Sequence, residues 1–254
     1  ALTVLGDASA AGGLTLLVGD DADVIQLAAS QGDVRIEGGG GDDDIRQGAG
    51  GSLRGLTGDV TLLGVDGRDD LTLDATAETA ALSTTGSADG AFTTLSGAGM
   101  AGEVRFRDLS SVDLILGAGD DEIVVDALSA EETVRIDGGV GADRARIGGA
   151  AGLDDIDGDL VLIGAAGDGD ALLLSDAPET QAETGALAAQ NSAVALTGFG
   201  MGADASVQFD GFDETRIAFG VGKATLDVSD WTDDTQIAFG GASDVPLRAT
   251  LAGD

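Results

Sequence analysis

Glycine-rich turns that end in aspartate are the part of this sequence whose residue types and spacing could do chemistry. Gly38 to Arg46 reads GGGGDDDIR and Gly138 to Arg146 reads GGVGADRAR, and shorter forms begin at Gly19, Gly67 and Gly117. Ca²⁺ takes six to eight oxygen ligands from carboxylates and carbonyls, and glycine lets a tight turn face its carbonyls inward. A single turn supplies about half of such a shell. We therefore expect Ca²⁺ ions between turns that are stacked on one another.

Turns of this kind, stacked one on the next, bring their aspartates together in two columns. Columns of like charge repel one another without a counterion, which favours a bound cation. The alternative is a set of plain β-turns in which glycine supplies the backbone conformation and aspartate bonds the backbone, with no metal. The members of the columns are Asp23, Asp43 and Asp69 in the first, and Asp121, Asp143 and Asp170 in the second.

Short runs in which apolar and polar residues alternate separate the turns. In the stretch Val112 to Ile147, alternation around Leu114 and Ile123 has the period of half-buried strands. Strands that recur at one register with glycine turns between them stack as parallel ladders. The predicted fold is an all-β, right-handed parallel β-solenoid, a β-helix or β-roll, of about ten rungs stacked roughly 4.8 Å apart. Antiparallel β-sandwich repeats are the alternative, because many short strands with turn signals describe that fold as well.

A unit of about 100 residues recurs along the chain. Leu95 to Met100 reads LSGAGM and Leu196 to Met201 reads LTGFGM, and the strand and turn patterns before them match in the same order. We interpret the chain as one continuous solenoid over residues 1–254. Its internal repeats are predicted at 14–111 and 112–214, with a partial repeat at 215–254 and the tail of a preceding repeat at 1–13.

Two places depart from the repeated pattern. Lys223 stands in the partial repeat where Asp120 stands in the second repeat, and a lysine cannot ligate a cation, so the metal site there is expected to be lost. Asp176 to Gln190 is the only helix-compatible stretch, but its counterpart Asp74 to Thr85 has no helical period. We therefore predict a loop excursion over Asp176 to Gln190.

The nonapeptide GGxGxDxUx, in which U is a large apolar residue, describes Gly38 to Arg46 at every defined position. Here the sequence resembles the calcium-binding repeats of RTX proteins. Gly138 to Arg146 fits except that Ala145 replaces the large residue. The longer pattern, with LTGxGM before a VxF strand, is similar to the long repeats of giant secreted bacterial surface proteins. The resemblance implies that carboxylates and glycine carbonyls of the turns hold Ca²⁺, with Asp20, Asp21, Asp23, Gly39, Gly41, Asp42, Asp43, Gly67, Asp69, Gly119, Asp120, Asp121, Gly139, Gly141, Asp143, Gly167, Asp168 and Asp170 as ligands.

Charge and composition limit the possible partners. The formal net charge is −34, from 46 acidic and 12 basic residues, so nucleic acid and anionic membrane surfaces are repelled. No apolar run reaches the roughly 20 residues that a membrane span needs, which predicts no membrane insertion. An acidic surface suited to a salty environment, where screening suffices, is the other explanation of the charge. The lack of cysteine suits an exported protein, and we expect an extracellular or cell-surface location.

A structural or adhesive role is the function that these features predict. Parallel β-helices include polysaccharide lyases and epimerases, but such sites need a base and a cation together, and this chain has no histidine, no tyrosine and one lysine. We therefore expect no enzymatic activity, and a Ca²⁺-stabilised segment of a large extracellular surface, fibre or adhesin protein. Its expected partners are further copies of itself, as head-to-tail repeats or a filament, and glycans or other surface proteins. A glycan-binding module or a lyase-like or epimerase-like enzyme is the alternative.

Overall fold

A computed structural model of the chain describes residues 3–8, 13–130, 132–165, 168–190, 193–220, 224–229 and 236–240. In these ranges the protein is built from strands and turns, with no α-helix. None of the described segments is therefore a helix with the length and apolarity that a membrane span requires. The prediction of an all-β fold is confirmed.

The described strands are short and follow one another closely, as the alternating runs predict. The first half of the chain contains β1 Thr3–Ala8, β2 Leu14–Leu17, β3 Val24–Ser30, β4 Val34–Gly40, β5 Asp44–Gln47, β6 Val60–Asp66, β7 Asp70–Asp74, β8 Ser83–Ala88, β9 Thr93–Gly97, β10 Glu103–Arg107 and β11 Ser111–Ile115. The second half contains β12 Glu122–Val125, β13 Thr133–Asp137, β14 Arg144–Ile147, β15 Asp159–Ile163, β16 Ala171–Asp176, β17 Glu183–Gln190, β18 Ala193–Gly198, β19 Val207–Asp210, β20 Glu214–Phe219, β21 Ala224–Ser229 and β22 Gln236–Gly240.

These strands form two large mixed sheets. The first sheet has the order β1-β3-β5-β7-β11-β13-β15-β19-β18-β17-β21, and the second has the order β2-β4-β6-β10-β9-β8-β12-β14-β16-β20-β22. Outside two short regions, consecutive strands alternate between the sheets, and neighbours within a sheet are parallel. Each turn between strands therefore leads from one sheet to the other.

Two antiparallel meanders interrupt this alternation. The strands β8, β9 and β10 follow one another within the second sheet, and β17, β18 and β19 do so within the first sheet. The predicted parallel pairing therefore holds for most of the described strands but not for these two regions. Short links between β8 and β9, and between β17 and β18, allow only antiparallel neighbours, since a parallel pair needs a longer crossover connection.

The core lies between the two sheets and is made of apolar side chains in register. In strands such as β11, β13 and β15 every second side chain is buried, which is the pattern of a sheet with one covered face. Register is maintained from strand to strand, because the buried residues of neighbouring strands pair directly. One such buried column in the first sheet consists of Leu71, Val112, Val134, Leu160 and Val207.

The LSGAGM and LTGFGM motifs close the last turn of each meander. Ala98 has a φ of 49° and Phe199 has a φ of 51°, and the glycine on either side of each also has a positive φ. Left-handed backbone at a residue with a Cβ costs about 1–2 kcal/mol. Both side chains are buried in the core, at 0% and 1% exposure, and this packing offsets the strain.

Asp176 to Gln190 is not the loop excursion that its sequence suggests. Glu183–Gln190 is strand β17, which pairs with both β18 and β21. The segment is helix-compatible because it is rich in Ala, Glu and Gln. Two neighbouring strands satisfy its backbone, however, and context of this kind overrides local preference. The loop prediction is therefore wrong from Glu183 onward, and Lys223 of the partial repeat lies outside the described residues.

Candidate functional site

The aspartates of the first predicted column connect successive turns by hydrogen bonds. The backbone N–H of Asp23 donates to Oδ1 of Asp43 at 2.9 Å, and the N–H of Asp43 donates to Oδ1 of Asp69 at 3.1 Å. All three residues are buried, with 1% to 4% exposure. Each turn of this column leads from the second sheet to the first. We call Asp23, Asp43 and Asp69 the first Asp column.

The second predicted column repeats this arrangement at turns that lead from the first sheet to the second. The N–H of Asp121 donates to Oδ1 of Asp143 at 2.8 Å, and the N–H of Asp143 donates to Oδ1 of Asp170 at 2.7 Å. The column is extended at both ends, since Leu82 N–H donates to Asp121 and Asp170 N–H donates to Asp213. Asp121, Asp143 and Asp170 are called the second Asp column. The turn spacing thus predicts which aspartates stack.

The second carboxylate oxygen of most column members is buried without a donor. Oδ2 has no hydrogen-bond partner among the described residues in Asp43, Asp69, Asp121 and Asp143. In Asp43, Asp69 and Asp143 a glycine five residues earlier makes room for this oxygen. A Cβ built on Gly138, for example, would lie 2.3 Å from Oδ2 of Asp143. In Asp170 the same oxygen accepts a hydrogen bond of 2.6 Å from the N–H of Ala165.

Burial makes ionisation of these carboxyls unfavourable. Burial, together with the charges of neighbouring aspartates, raises the pKa of Asp69 and of Asp143 to about 6. Burial also raises the pKa of Asp43, Asp121 and Asp170. Without added positive charge, the ionised carboxylates of the columns are therefore poorly solvated and repel one another at neutral pH.

The other predicted ligands surround the columns. Asp42 and Asp120 are exposed, and their Oδ1 atoms accept hydrogen bonds of 2.9 Å from Arg68 N–H and 3.0 Å from Ala142 N–H in the following turn. Three further predicted ligands, Asp20, Asp21 and Asp168, are exposed. Five of the predicted glycines, Gly41, Gly67, Gly119, Gly139 and Gly141, lie in these turns. Gly39 lies near the end of β4, and Gly167 is outside the described residues.

Close stacking of neighbouring turns is sufficient to explain the glycines, and it explains them equally well whether or not a metal is bound. Gly39 has a φ of 98°, and a Cβ there would lie 2.2 Å from the carbonyl oxygen of Gly19 in the adjacent turn. Gly67 has a φ of 116°, and a Cβ there would lie 2.0 Å from the carbonyl oxygen of Gly41. Only glycine allows the neighbouring turns to approach this closely. The columns fit a hydrogen-bonded ladder, and their unpartnered Oδ2 atoms are the feature that a cation would satisfy.

Acidic side chains converge at a different place. Among the described residues, the one group of three acidic side chains that each offer an oxygen within 4.8 Å of the others is Asp154, Asp176 and Glu183. We call this group the carboxylate cluster. Asp154 lies in the turn before β15, Asp176 ends β16 and Glu183 begins β17. It lies beside the second meander and outside both Asp columns.

The carboxylate cluster is poor in hydrogen-bond donors. Asp176 is 2% exposed, its Oδ1 accepts a long bond of 3.4 Å from Leu153 N–H, and its side chain is hydrogen-bonded to that of Glu183. Oδ1 of Asp154 and Oε2 of Glu183 are buried without a partner among the described residues. Burial, joined by the charges of nearby carboxylates, raises the pKa of all three cluster members. The sequence prediction missed this cluster. Comparison of the repeats shows acidic residues at these three positions in the second repeat only, but the convergence of their side chains is visible only in the structure.

Glu132 is a further buried carboxyl that the sequence prediction did not single out. It is 4% exposed, hydrogen-bonded to Thr93 of β9, and its Oε2 has no partner among the described residues. Burial raises its pKa to about 7. Glu132 belongs to no group of three converging acidic side chains among the described residues, so we assign it to the packing of the first meander.

Comparisons with known proteins add no family or relative. Neither protein-family models nor curated proteins give a match to this chain. Function is therefore inferred from the geometry of the Asp columns and of the carboxylate cluster.

Proposed function

We propose that this chain is a non-catalytic, Ca²⁺-stabilised structural repeat segment of a large extracellular surface, fibre or adhesin protein. In this proposal the two mixed sheets are the walls of a right-handed parallel β-solenoid of about ten rungs, interrupted by the two meanders. Its partners are further copies of the repeat, joined head to tail. The RTX-like motif at Gly38 to Arg46 supports the same assignment.

The observation that carries the proposal is the hydrogen bonding of the Asp columns. Asp121 N–H donates to the Asp143 carboxylate, and Asp143 N–H donates to the Asp170 carboxylate, so these acidic groups join one turn to the next. A catalytic protein needs its acidic groups to face a cleft in which substrate can bind. Here the buried aspartates serve the continuity of the stack, which is the requirement of a structural repeat.

Ca²⁺ enters the proposal through the second oxygen of these carboxylates. The Oδ2 atoms of Asp43, Asp69, Asp121 and Asp143 are buried without donors among the described residues, and the chain carries a net charge of −34. Hard cations with oxygen ligands supply the missing positive charge at such oxygens. The residues that would hold the ions are the column aspartates together with the exposed carboxylates of the same turns, such as Asp20, Asp42 and Asp120.

Thermal unfolding of the intact chain, followed by circular dichroism with excess chelator and with added Ca²⁺, tests this proposal. Ca²⁺ that binds only the folded state stabilises it by mass action, so the melting temperature is expected to rise and to fall again when chelator is returned. Sodium chloride at matched ionic strength controls for screening of the surface charge. A melting temperature that responds equally to Ca²⁺ and to sodium chloride would remove Ca²⁺ from the proposal.

A glycan-binding role is the second candidate, and one groove favours it. The groove lies on the second sheet and has a volume of about 310 Å³. Its charged lining consists of three arginines, Arg144, Arg146 and Arg216, and two glutamates, Glu122 and Glu214. Arginine donors in a fixed fork bind carboxylates of acidic sugars well. Titration with an acidic oligosaccharide, for the wild type and for Arg216→Ala, tests this candidate, which predicts binding that weakens in the variant.

A further inference from the structure

The loops before β8 and β17 are built alike, which allows a comparison of the two repeats at the carboxylate cluster. In the first loop Glu78 N–H donates to the carbonyl oxygen of Ala75 at 3.0 Å. In the second loop Glu179 N–H donates to the carbonyl oxygen of Asp176 at 3.1 Å. These matching turns make Asp176 the counterpart of Ala75, and Glu179 the counterpart of Glu78.

The last turn of each meander contains a glycine, Gly99 or Gly200, that packs against equivalent residues in the two repeats. A Cβ built on Gly99 would lie 3.5 Å from Cγ of Arg54, and one built on Gly200 would lie 1.7 Å from Oδ1 of Asp154. Both glycines have a positive φ. The residues of the first repeat and their counterparts in the second are therefore Arg54 and Asp154, Ala75 and Asp176, and Leu82 and Glu183.

The first repeat has a positively charged side chain, Arg54, at the position that corresponds to the carboxylate cluster. The guanidinium of Arg54 donates from Nε to Oε2 of Glu78 at 2.7 Å, and the Ser52 hydroxyl donates to Oε1 at 2.5 Å. The hydrogen bonds from Ser52 and Arg54 lower the pKa of Glu78. Ala75 and Leu82 complete the surroundings with apolar groups. A built-in positive charge thus ties the turn of residues 51–56 to the loop before β8.

The second repeat has no arginine at this position and has three acidic residues there instead. An aspartate, Asp154, replaces the arginine, and Asp176 and Glu183 replace two apolar residues. Glu179 accepts hydrogen bonds from the N–H groups of Thr180 and Gln181 instead of from a guanidinium. Two carboxylate oxygens of the cluster are left buried without any donor among the described residues. Carboxylate oxygens that are buried without a donor are unfavourable when ionised, and a bound cation or a proton relieves this cost.

We propose that Asp154, Asp176 and Glu183 form a binding site for one divalent cation of the Ca²⁺ class, which takes the place that Arg54 occupies in the first repeat. The three carboxylates offer oxygens within 4.8 Å of one another, and two of those groups present buried oxygens without a donor. Asp176 and Glu183 also line a shallow surface depression together with Glu179, the counterpart of Glu78. This site goes beyond the turn sites of the proposed function, because it lies outside both Asp columns.

The donor set selects the kind of cation. All side-chain ligands are carboxylates, and the chain contains neither histidine nor cysteine, so hard cations with oxygen ligands are favoured over Zn²⁺ and Cu²⁺. Ca²⁺ accepts carboxylates in both monodentate and bidentate fashion and tolerates irregular geometry, whereas Mg²⁺ demands a near-ideal octahedron. A shared proton between Asp176 and Glu183 is the competing occupant, because these side chains are hydrogen-bonded to each other.

The test is a count of Ca²⁺ ions bound per chain, by calorimetry and equilibrium dialysis at neutral pH on the intact protein. The variant pair Asp176→Asn with Glu183→Gln keeps side-chain volume and removes two charges. A second variant transplants the first repeat into the second by Asp154→Arg, Asp176→Ala and Glu183→Leu, a combination that the first repeat already accommodates. Asp155→Asn, at an exposed position beside the cluster, is the control.

We expect both variants to bind one ion fewer than the wild type and the control to bind the same number as the wild type. If the Asp columns bind no Ca²⁺, the wild type still binds one ion and the variants bind none, which separates this proposal from the proposed function. Equal ion counts in the wild type and both variants would overturn the site. A wild type that binds no Ca²⁺ would overturn it as well and leave the shared proton as the occupant.

Discussion

The backbone N–H of Asp121 donates a 2.8 Å hydrogen bond to Oδ1 of Asp143, a residue 22 positions further along the chain. The bond joins the turn between β11 and β12 to the turn between β13 and β14, and both residues are buried. A side-chain carboxylate here takes the part that a backbone carbonyl takes in an ordinary sheet ladder. The hydrogen-bonded stack thus continues through the turns as well as through the strands.

Asp143→Ala is expected to destabilise the fold by about 1–3 kcal/mol, because the buried N–H of Asp121 loses its acceptor. Asp143→Asn keeps an oxygen at Oδ1 and removes a carboxylate with a raised pKa, so a smaller loss is expected in chelator. Urea unfolding of the three proteins measures the difference. Equal losses for Ala and Asn would show that the acceptor for Asp121 N–H contributes nothing to stability.

Gly138→Ala is expected to destabilise the second Asp column without changing any charge. The new Cβ would lie 2.3 Å from Oδ2 of Asp143, so the carboxylate must move and its bond to Asp121 must lengthen. Gly19→Ala is the matched control, because a Cβ there would have no neighbour within 4 Å and neither glycine has a positive φ. Equilibrium unfolding should show a loss of about 1–3 kcal/mol for Gly138→Ala and little change for the control. Similar losses for both would mean that the niche beside Asp143 is not tight.

Glu132 should make the metal-free protein less stable as the pH rises. Its pKa is about 7 in the folded state and about 4.3 in an unfolded chain, so the folded state binds the proton more tightly between these values. Stability therefore falls from about pH 4.3 to about pH 7, by at most about 1.4 kcal/mol per pH unit from this group. Glu132→Gln removes that contribution and leaves those of the other carboxyls in place.

The measurement is urea unfolding of the wild type and Glu132→Gln in chelator at pH 5 and pH 8. The variant is expected to gain stability relative to the wild type as the pH rises. A stability difference that is the same at both pH values would show that Glu132 does not titrate in this range. Thermal unfolding under the same conditions provides an independent check.

Arg54→Ala is expected to cost about 1–3 kcal/mol, because Glu78 is 8% exposed and would lose a charge-assisted donor. The loss should be independent of Ca²⁺, since the guanidinium is part of the chain. Arg68→Ala is the control, because Arg68 is paired with Asp70 at 3.5 Å and both side chains are well exposed. Urea unfolding in chelator and in Ca²⁺ measures the loss of stability in each variant. Equal losses in Arg54→Ala and Arg68→Ala would contradict the expectation.

Local patterns were sufficient to predict the strands and the stacking of the turns. Alternation around Leu114 places that residue in the core, and the turn spacing brings Asp121 next to Asp143 and Asp143 next to Asp170. These features depend on residues close in sequence and on one repeated register, which a single chain displays directly. The strand class and the order of the Asp columns follow from them.

Features that depend on long-range pairing could not be predicted in the same way. Glu183–Gln190 has a helix-compatible composition, and only its pairing with β18 and β21 makes it a strand. The carboxylate cluster combines Asp154 with Asp176 and Glu183, which come from one turn and two different strands. Its members lie outside the repeated turn motif, so motif spacing gives no sign of them.

Residue-resolved amide hydrogen exchange tests the central claim most directly, because that claim concerns particular N–H groups. The amides of Asp23, Asp43, Asp121 and Asp143 should exchange as slowly as those of the core strands, and Ca²⁺ should slow them further. In Asp143→Ala the amide of Asp121 should lose its protection first, since its acceptor is gone. Fast exchange of these four amides in the wild type, at the rate of an exposed turn, would contradict the account.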